Sequence, residues 1–104
     1  MRMLLKANMS TEKANDLARQ GKLGSTIQSI LADLKPEAAY FLEEDGQRTG
    51  LIFFDLAEPS QIPAVAEPWF LAFNARITLR PAMVPEDLGK GAPAIEAAVK
   101  KYGV

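Results

Sequence analysis

The sequence predicts one α+β domain in which a four-stranded antiparallel sheet carries helices on one face, with an extra helix at the C-terminal end. Two observations lead to this prediction. Residues 1–81 alternate between apolar periods of two and of about 3.6, the repeats of strands and of helices. An Asp45-Gly46 pair separates two strand-like segments and is a strong signal for a tight hairpin. The elements therefore read strand, helix, hairpin, helix and strand.

The first two elements are a strand over residues 1–9 and a long helix. Ser10 is placed to cap the helix, because its hydroxyl can accept from first-turn N–H groups. Gly21 and Gly24 each cost about 1 kcal/mol relative to alanine inside a helix, so a kink or short break is expected there. The helix is expected to end at Lys35, since the next residue is a proline and disfavours α geometry before it.

A two-residue loop at Asp45-Gly46 sets the register of the hairpin and pairs Glu43 with Arg48 and Tyr40 with Leu51. Side chains then alternate between two faces. One face carries Ala39, Phe41, Glu43, Arg48, Gly50, Ile52 and Phe54, and the other Tyr40, Leu42, Glu44, Thr49, Leu51, Phe53 and Asp55. Neither face is cleanly polar, so both are expected to be covered.

The second half of the sheet domain is predicted as a short helix and a strand. Ser60 is expected to cap the helix, and Pro68 is expected to end or bend it. Polar and apolar side chains alternate at every position of residues 74–80, which predicts the clearest strand of the chain. Ala75 and Ile77 are expected to face the helices. The alternate side chains, Asn74, Arg76, Thr78 and Arg80, are then expected to face the other side.

Residues 85–102 are expected to form an interrupted helical tail. Pro85 suits a first helical turn, Gly89 and Gly91 interrupt it, and Pro93 restarts a helix. The apolar stripe of that helix is Ile95, Ala98, Val99 and Tyr102. The pattern leaves open whether this helix packs on its own subunit or on a partner.

The resulting β-α-β-β-α-β order is the split-βαβ, ferredoxin-like plan, and it accounts for all 104 residues as a single domain. Two helices can cover only one face of such a sheet. Because the hairpin has no cleanly polar face, we expect the open face to be covered by a second copy of the chain, which predicts a homodimer.

Composition excludes several kinds of partner and cofactor. The net charge is −1 with no basic block, which argues against nucleic acid. Cysteine and histidine are absent, so we expect no disulfide framework, no metal site and no cofactor, with haem disfavoured. The first apolar run meets Lys6 and Asn8 at once and is too short for a signal peptide or a membrane span. These features predict a soluble cytoplasmic protein without a membrane partner.

The order of elements resembles the dimeric α+β barrel group of ferredoxin-like folds, in which two copies pair their uncovered sheet faces around a lumen. Four segments resemble a small bacterial family of uncharacterised single-domain proteins: KPEAAYF (35–41), DGQR (45–48), IPAVAEP (62–68) and PAMVPEDL (81–88). Val84 departs from the Thr or Ser cap expected there. The superfamily includes cofactor-free monooxygenases, lactone isomerases, haem enzymes and non-enzymatic members. No catalytic motif of these enzymes matches this sequence residue by residue. The resemblance implies a homodimeric barrel and leaves function open.

Arg76 is the strongest candidate for a ligand-binding residue. Arg76 is predicted to lie mid-strand on the open face, beside Thr78. Once a second copy covers this face, the guanidinium would need an anionic partner. Asp55 or Glu44 could supply a structural ion pair. Alternatively, the carboxylate of a ligand could bind it in a bidentate manner. Arg80, nearer the strand end, is expected to be solvated.

Three further residues are weaker candidates. Tyr40 could polarise a carbonyl and Asp55 could act as a base, although strand tyrosines usually pack and Asp55 precedes a turn-like segment. Trp69 could line a pocket mouth, but its helical spacing is more typical of a core residue.

Three functions follow from these residues. We favour a homodimeric barrel that binds a small anionic or aromatic molecule between its sheets, through Arg76, Tyr40, Thr78 and Trp69. The first alternative is a cofactor-independent enzyme, such as an isomerase, decarboxylase or monooxygenase, using Tyr40 and Asp55. The second alternative is a structural or protein-interaction module.

Overall fold

A computed structural model describes all 104 residues. The chain forms, in order, β1 (Arg2–Asn8), α1 (Thr11–Arg19), α2 (Leu23–Leu34), β2 (Ala38–Glu44), β3 (Gln47–Asp55), α3 (Ile62–Phe73), β4 (Arg76–Pro81) and α4 (Pro85–Tyr102). A short 3₁₀ turn, Pro59–Gln61, precedes α3. The strand after the N-terminus, the Ser10 cap and the break between α1 and α2 are all confirmed, with the Ser10 hydroxyl accepting from the Lys13 N–H at 3.3 Å.

The four strands form one antiparallel sheet in the order β2-β3-β1-β4. β3 lies between β1 and β2, and β1 lies between β3 and β4. Each β-α-β half therefore has a strand of the other half inserted between its own two strands. This α+β arrangement with an open four-stranded sheet is compatible with a ferredoxin-like fold.

The hydrophobic core lies between the sheet and α1–α3, on one face of the sheet. Its strand residues come from alternate positions of β1 and β3, and its helix residues come mainly from α3. The largest fully buried side chains of this core are Leu5, Met9, Ile52, Phe54, Trp69 and Phe73. Helices therefore cover one face of the sheet, as the sequence predicts, and the other face carries no helix layer.

The predicted hairpin register is confirmed. Glu43 pairs with Arg48 and Tyr40 with Leu51. The turn residues Asp45 and Gly46 have φ angles of 55° and 76°, the left-handed backbone that a type I′ turn requires at both central positions. The turn residues alone were therefore sufficient to assign every hairpin side chain to its face.

Ser60 does not cap α3, and Pro68 does not end it. Ser60 lies within the 3₁₀ turn, and it is Gln61 whose side-chain oxygen accepts from the backbone N–H groups of Ala57 and Glu58, at 3.0 and 3.3 Å. Pro68 neither ends nor breaks α3, which continues to Phe73. Val65, Ala66, Trp69 and Phe73 of α3 are held in the core, and their burial offsets the lost backbone hydrogen bond.

β4 begins two residues later than expected, at Arg76. Asn74 is the C-cap of α3, with a φ of 48°, and so does not belong to the strand. The alternation itself is confirmed, because Ala75 lies in the core and Ile77 and Leu79 pack against it. Arg76, Thr78 and Arg80 therefore point to the opposite face.

The tail is one continuous helix, α4, instead of the interrupted helix that was predicted. Its first turn is stabilised by Pro85 at the helix start and by Asp87, whose carboxylate accepts from the Val84 N–H at 3.0 Å. Lysines occupy its last turn, where their positive charges interact favourably with the negative end of the helix dipole. These local contacts compensate at the start for the missing Thr or Ser cap at Val84.

α4 projects away from the rest of the domain. Every residue of this helix is solvent exposed. The molecule measures 59 × 28 × 21 Å, and an 18-residue helix is about 27 Å long, so α4 adds nearly its whole length to the long axis. The radius of gyration is 17.4 Å, whereas a compact domain of this size has about 13 Å. No helix in the molecule is both long and apolar enough to cross a lipid bilayer.

Candidate functional site

The sheet face without helices, called the open face below, has an apolar half and a polar half. The apolar half lies mostly on β2 and β3 and consists of Ala38, Tyr40, Leu42, Leu51, Phe53 and, from β1, Leu4. The polar half lies mostly on β1 and β4 and consists of Lys6, Asn8, Thr78, Arg76 and Arg80. Tyr40 is 60 % exposed and Leu42 is 43 % exposed. Large apolar side chains on one contiguous surface are typical of an interaction site.

A hydrogen-bonded network occupies the end of the open face nearest the hairpin turn. The Asn8 amide donates to the Thr49 hydroxyl at 2.8 Å and to the Glu44 carboxylate at 3.3 Å. The Thr49 hydroxyl donates in turn to the Gln47 carbonyl at 3.1 Å, and Lys6 pairs with Glu44 at 2.8 Å. Asn8 and Thr49 are buried although no helix covers them, because neighbouring side chains of the same face enclose them. Each side chain of this network therefore has at least one partner within the chain.

The network changes the titration of Glu44. The hydrogen bond from Lys6, followed by that from Asn8, holds the pKa of the Glu44 carboxyl below its ordinary value of 4.5. The folded state thus favours the ionised carboxylate. Its contribution to stability is fully present above the ordinary pKa and is lost as the pH falls through the lowered one.

Glu44→Gln is expected to remove this pH-dependent stability. The difference in unfolding free energy between wild type and Glu44→Gln should be constant well above pH 4.5 and should shrink as the pH falls below it. Urea unfolding at a series of pH values measures this difference. Lys6→Met removes the first cause of the pKa shift and should abolish most of the same pH dependence. A wild type minus Glu44→Gln difference that stays constant down to pH 2 would contradict the assignment.

Arg76 lies beside this network but has no anionic partner. It is opposite Asn8 in the β1–β4 register, is exposed, and makes no ion pair within the chain. The two internal partners that the sequence suggested are engaged elsewhere: Glu44 with Lys6, and Asp55 with the amino group of Met1 at 2.7 Å. Arg76 therefore forms no structural ion pair within a single chain, and an ion pair with a second copy stays a prediction.

Thr78 and Tyr40 share the open face with Arg76. The register places Thr78 opposite Lys6, Lys6 opposite Leu51, and Leu51 opposite Tyr40, so these residues form one row across the sheet. Tyr40 and Thr78 stand at its two ends, about 14 Å apart for three strand spacings. Arg76 and Thr78 are close together on β4, whereas Tyr40 belongs to the far edge strand.

Asp55 is at the end of β3, also on the open face, with 79 % of its side chain exposed. Its carboxylate is bound to the Met1 amino group and points to the sheet end, away from the row that contains Tyr40. The structure therefore does not bring Tyr40 and Asp55 together as a pair of catalytic groups.

Trp69 lies on the other side of the sheet. Its side chain is fully buried in the helix-covered core, and its ring stacks on Phe73 at a centroid distance of 5.7 Å. The indole Nε1 is buried without a hydrogen-bond partner. Trp69 is thus a core residue, as its helical spacing had indicated. It does not line the open face.

The open face is not a pocket in a single chain. Four clefts are present, and none is lined by Tyr40, Arg76 or Thr78. No three Asp or Glu side chains come close enough to hold a metal ion. A binding site on this face would need a second surface to enclose it.

Sequence reasoning missed Lys6, Asn8 and the network they form with Glu44. The signal was present in β1, where Met3, Leu5 and Ala7 alternate with more polar residues. It was weak because Leu4 interrupts the polar side. The pairing of Lys6 with Glu44 further depends on three strands coming together, which a strand-by-strand reading does not provide.

No protein-family model matches the sequence, and no curated protein matches it. The likeness of four segments to a bacterial family, and the barrel architecture which that likeness implies, therefore remain expectations. The case for a function rests on the geometry of the open face.

Proposed function

We propose that two copies of this chain pair their open faces, in the manner of the dimeric barrel type of ferredoxin-like fold, and bind a small organic anion between the sheets. The apolar half of the open face supports the pairing. Six apolar side chains share this uncovered surface, and Tyr40 and Leu42 are the most exposed of them. A second sheet packed against the apolar half would remove these side chains from water, at the spacing of about 10 Å that face-to-face sheets have where their side chains meet.

The observation that carries the ligand proposal is the unpaired guanidinium of Arg76. Arg76 is the first residue of the edge strand β4, and two other charged groups of this face, Lys6 and Glu44, pair with each other. A covered but unpaired arginine is costly, because desolvation penalises its charge. A carboxylate or similar planar anion satisfies it with two parallel hydrogen bonds. Thr78, the next residue of β4 on the same face, supplies a further donor and acceptor.

The apolar half of the open face suits the remainder of such a ligand. Leu51, Phe53 and the Tyr40 ring present carbon surface on the same face, and the Tyr40 hydroxyl offers one polar contact. A molecule with an anionic end and an apolar or aromatic body would contact both halves. This division of the face favours small carboxylates with a hydrophobic part.

The geometry favours binding over catalysis. Asp55, the base in the enzyme alternative, is engaged with the Met1 amino group and lies apart from Tyr40. The third alternative, a protein-interaction module, satisfies Arg76 only where the partner protein supplies a carboxylate.

A thermal-shift screen of the purified protein against small carboxylates, phenols, lactones and quinones tests the proposal. A ligand at about a hundred times its dissociation constant should stabilise the fold by roughly 2.7 kcal/mol, a shift on the order of ten degrees for a domain of this size. The shift should be lost in Arg76→Ala, because the anionic group of the ligand then has no partner.

Arg19→Ala is the matched control, since Arg19 is an exposed arginine on α1 whose loss should leave the shift unchanged. Arg76→Lys should retain only part of the shift, because lysine keeps the charge but lacks the planar pair of donors. A folded, dimeric protein that responds to no compound in the panel would contradict ligand binding and favour the interaction module.

A further inference from the structure

A cleft lies beside the hairpin turn, on the helix-covered side of the sheet, and is called the hairpin cleft below. Its volume of about 610 Å³ is within the range of about 300–1,000 Å³ that small-molecule sites occupy. The hairpin, the start of α1 and α2 line it. Its lining includes the apolar residues Met9, Ile27 and Phe41 and the polar residues Thr11, Glu43 and Arg48. The cleft therefore combines carbon surface with two opposite charges.

Phe41 forms the exposed apolar wall of the hairpin cleft. Its side chain is on the same side of β2 as Ala39, which packs against the core. Nevertheless 47 % of Phe41 is exposed, because α1–α3 make few contacts with this edge strand. Its ring lies against Gly50, where an added Cβ would come within 3.1 Å of the ring carbon Cε1. Met9 and Ile27 are buried and half-buried, so an apolar group bound in the cleft would mainly cover the ring of Phe41.

Glu43 and Arg48 supply the two charges of the cleft. They are directly opposite in the hairpin register, with Cβ atoms about 5 Å apart, but they make no ion pair. The Glu43 carboxylate instead accepts from the Gly46 N–H at 3.1 Å. The Arg48 guanidinium donates to the side-chain oxygen of Asn15, on α1, at 2.8 Å. Each charge is thus oriented by a neutral group, and neither has a counter-ion within the chain.

The start of α1 adds to the positive end of the hairpin cleft. Thr11 is the first residue of α1 and Asn15 is one turn later, so both are on one side of the helix. Arg48, bound to Asn15, is therefore held beside the start of α1. The first N–H groups of a helix have no intrahelical partner, and the positive end of the helix dipole lies there. An anion bound by Arg48 is stabilised by both.

We infer that the hairpin cleft binds a zwitterionic α-amino acid with an apolar side chain. The carboxylate of the ligand pairs with Arg48 and its ammonium group with Glu43. Its side chain lies against Phe41. This site goes beyond the proposed function, because it is on the opposite side of the sheet from Arg76 and needs no second copy of the chain.

Simpler ligands satisfy the hairpin cleft less completely. A carboxylate without an ammonium group leaves Glu43 without a counter-ion and brings two negative charges close together. An amine without a carboxylate does the same to Arg48 with positive charges. An amino acid with a polar side chain leaves the Phe41 ring in water. An apolar amino acid is the smallest molecule that pairs both charges and covers this ring.

Titration of the isotope-labelled chain with L-phenylalanine, followed by its backbone amide NMR signals, tests the site. We expect saturable shifts at Glu43, Gly46 and Arg48 and none at Thr78 on the open face. N-acetylphenylalanine lacks the ammonium group, and phenylalaninamide lacks the carboxylate. Each of these two compounds should bind at least about tenfold more weakly than phenylalanine, because each loses a charge-assisted hydrogen bond.

Two variants assign each charged group of the ligand to its partner. Arg48→Gln should weaken phenylalanine binding at least about tenfold and remove most of the preference for phenylalanine over phenylalaninamide. Glu43→Gln should likewise remove most of the preference for phenylalanine over N-acetylphenylalanine. Arg19→Gln is the matched control, since Arg19 is an exposed arginine elsewhere on α1 whose loss should change neither preference. The same NMR spectra show whether each variant is folded.

Four outcomes would overturn the inference. The first is the absence of a saturable shift up to about 10 mM phenylalanine. The second is equal affinity for phenylalanine and its two derivatives. The third is a set of shifts at Tyr40 and Thr78 in place of the cleft residues, which would assign the compound to the open face. The fourth is an Arg48→Gln variant that is folded and keeps the full preference for phenylalanine over phenylalaninamide.

Discussion

Replacing Leu51 with aspartate is expected to convert a dimer of this chain into folded monomers. Leu51 is at the centre of the open face, on the interior strand β3, between Tyr40 and Lys6. In the proposed dimer its side chain is enclosed by the second sheet, and an aspartate there would be an unpaired buried charge. A cost of about 3 kcal/mol raises the dissociation constant about a hundredfold. Sedimentation velocity over a range of protein concentrations measures this change.

The same substitution should leave the monomer folded, because the open face is in contact with water in a single chain and the helix-covered core is unaffected. Circular dichroism of the Leu51→Asp variant measures whether its secondary structure is retained. Leu71→Asp is the matched control: Leu71 is 76 % exposed on α3, on the far side of the molecule from the open face. An unchanged dissociation constant in Leu51→Asp, with dimers still present, would place the interface elsewhere.

Replacing Trp69 with alanine is expected to give the largest loss of stability in this chain. Trp69 is fully buried and stacks on Phe73 beneath the sheet. Truncating a buried tryptophan typically costs about 3–5 kcal/mol, from lost apolar burial and from the cavity left behind. Domains of this size are stable by about 5–15 kcal/mol in total. Urea unfolding, followed by far-ultraviolet circular dichroism, measures the loss.

Phe70→Ala is the control for this prediction, since Phe70 is the next residue of α3 and is 41 % exposed. Its loss should cost less than about 1 kcal/mol. Trp69→Phe should cost less than Trp69→Ala, because it keeps a ring in the core and removes the unpartnered Nε1 donor, whose burial costs about 1–3 kcal/mol. Equal losses in Trp69→Ala and Phe70→Ala would contradict the placement of Trp69 in the core.

The features that were predicted correctly from the sequence depend on neighbouring residues. Asp45-Gly46 imposes a turn of fixed length, and this one turn sets the register of every hairpin pair. The alternation from Ala75 to Arg80 assigns Arg76 to the open face without knowledge of any other strand. The predictions that failed concern Pro68 and the two glycines of α4, where a rule about local propensity was outweighed. In α3 the opposing term is the burial of Trp69 and its neighbours.

The candidate site was predictable only in part, for a related reason. That Arg76 and Thr78 share a face follows from spacing along one strand. The absence of a partner for Arg76 does not follow from spacing, because it depends on which carboxylates are already engaged. Glu44 is bound by Lys6 across two strand spacings, and Asp55 by the amino group of Met1, 54 residues away in the chain.

The sequence by itself determined the class of the domain, the order of its elements, the hairpin register and the faces on which the residues of the hairpin and of β4 lie. These properties follow from backbone geometry and from periodicity, which act over a few residues. Only the tertiary structure decided that Arg76 is unpaired and that α4 extends as one helix from the body. Each of these depends on which distant groups meet across the sheet or fail to meet. Ion pairing is a property of such contacts, and no local pattern specifies it.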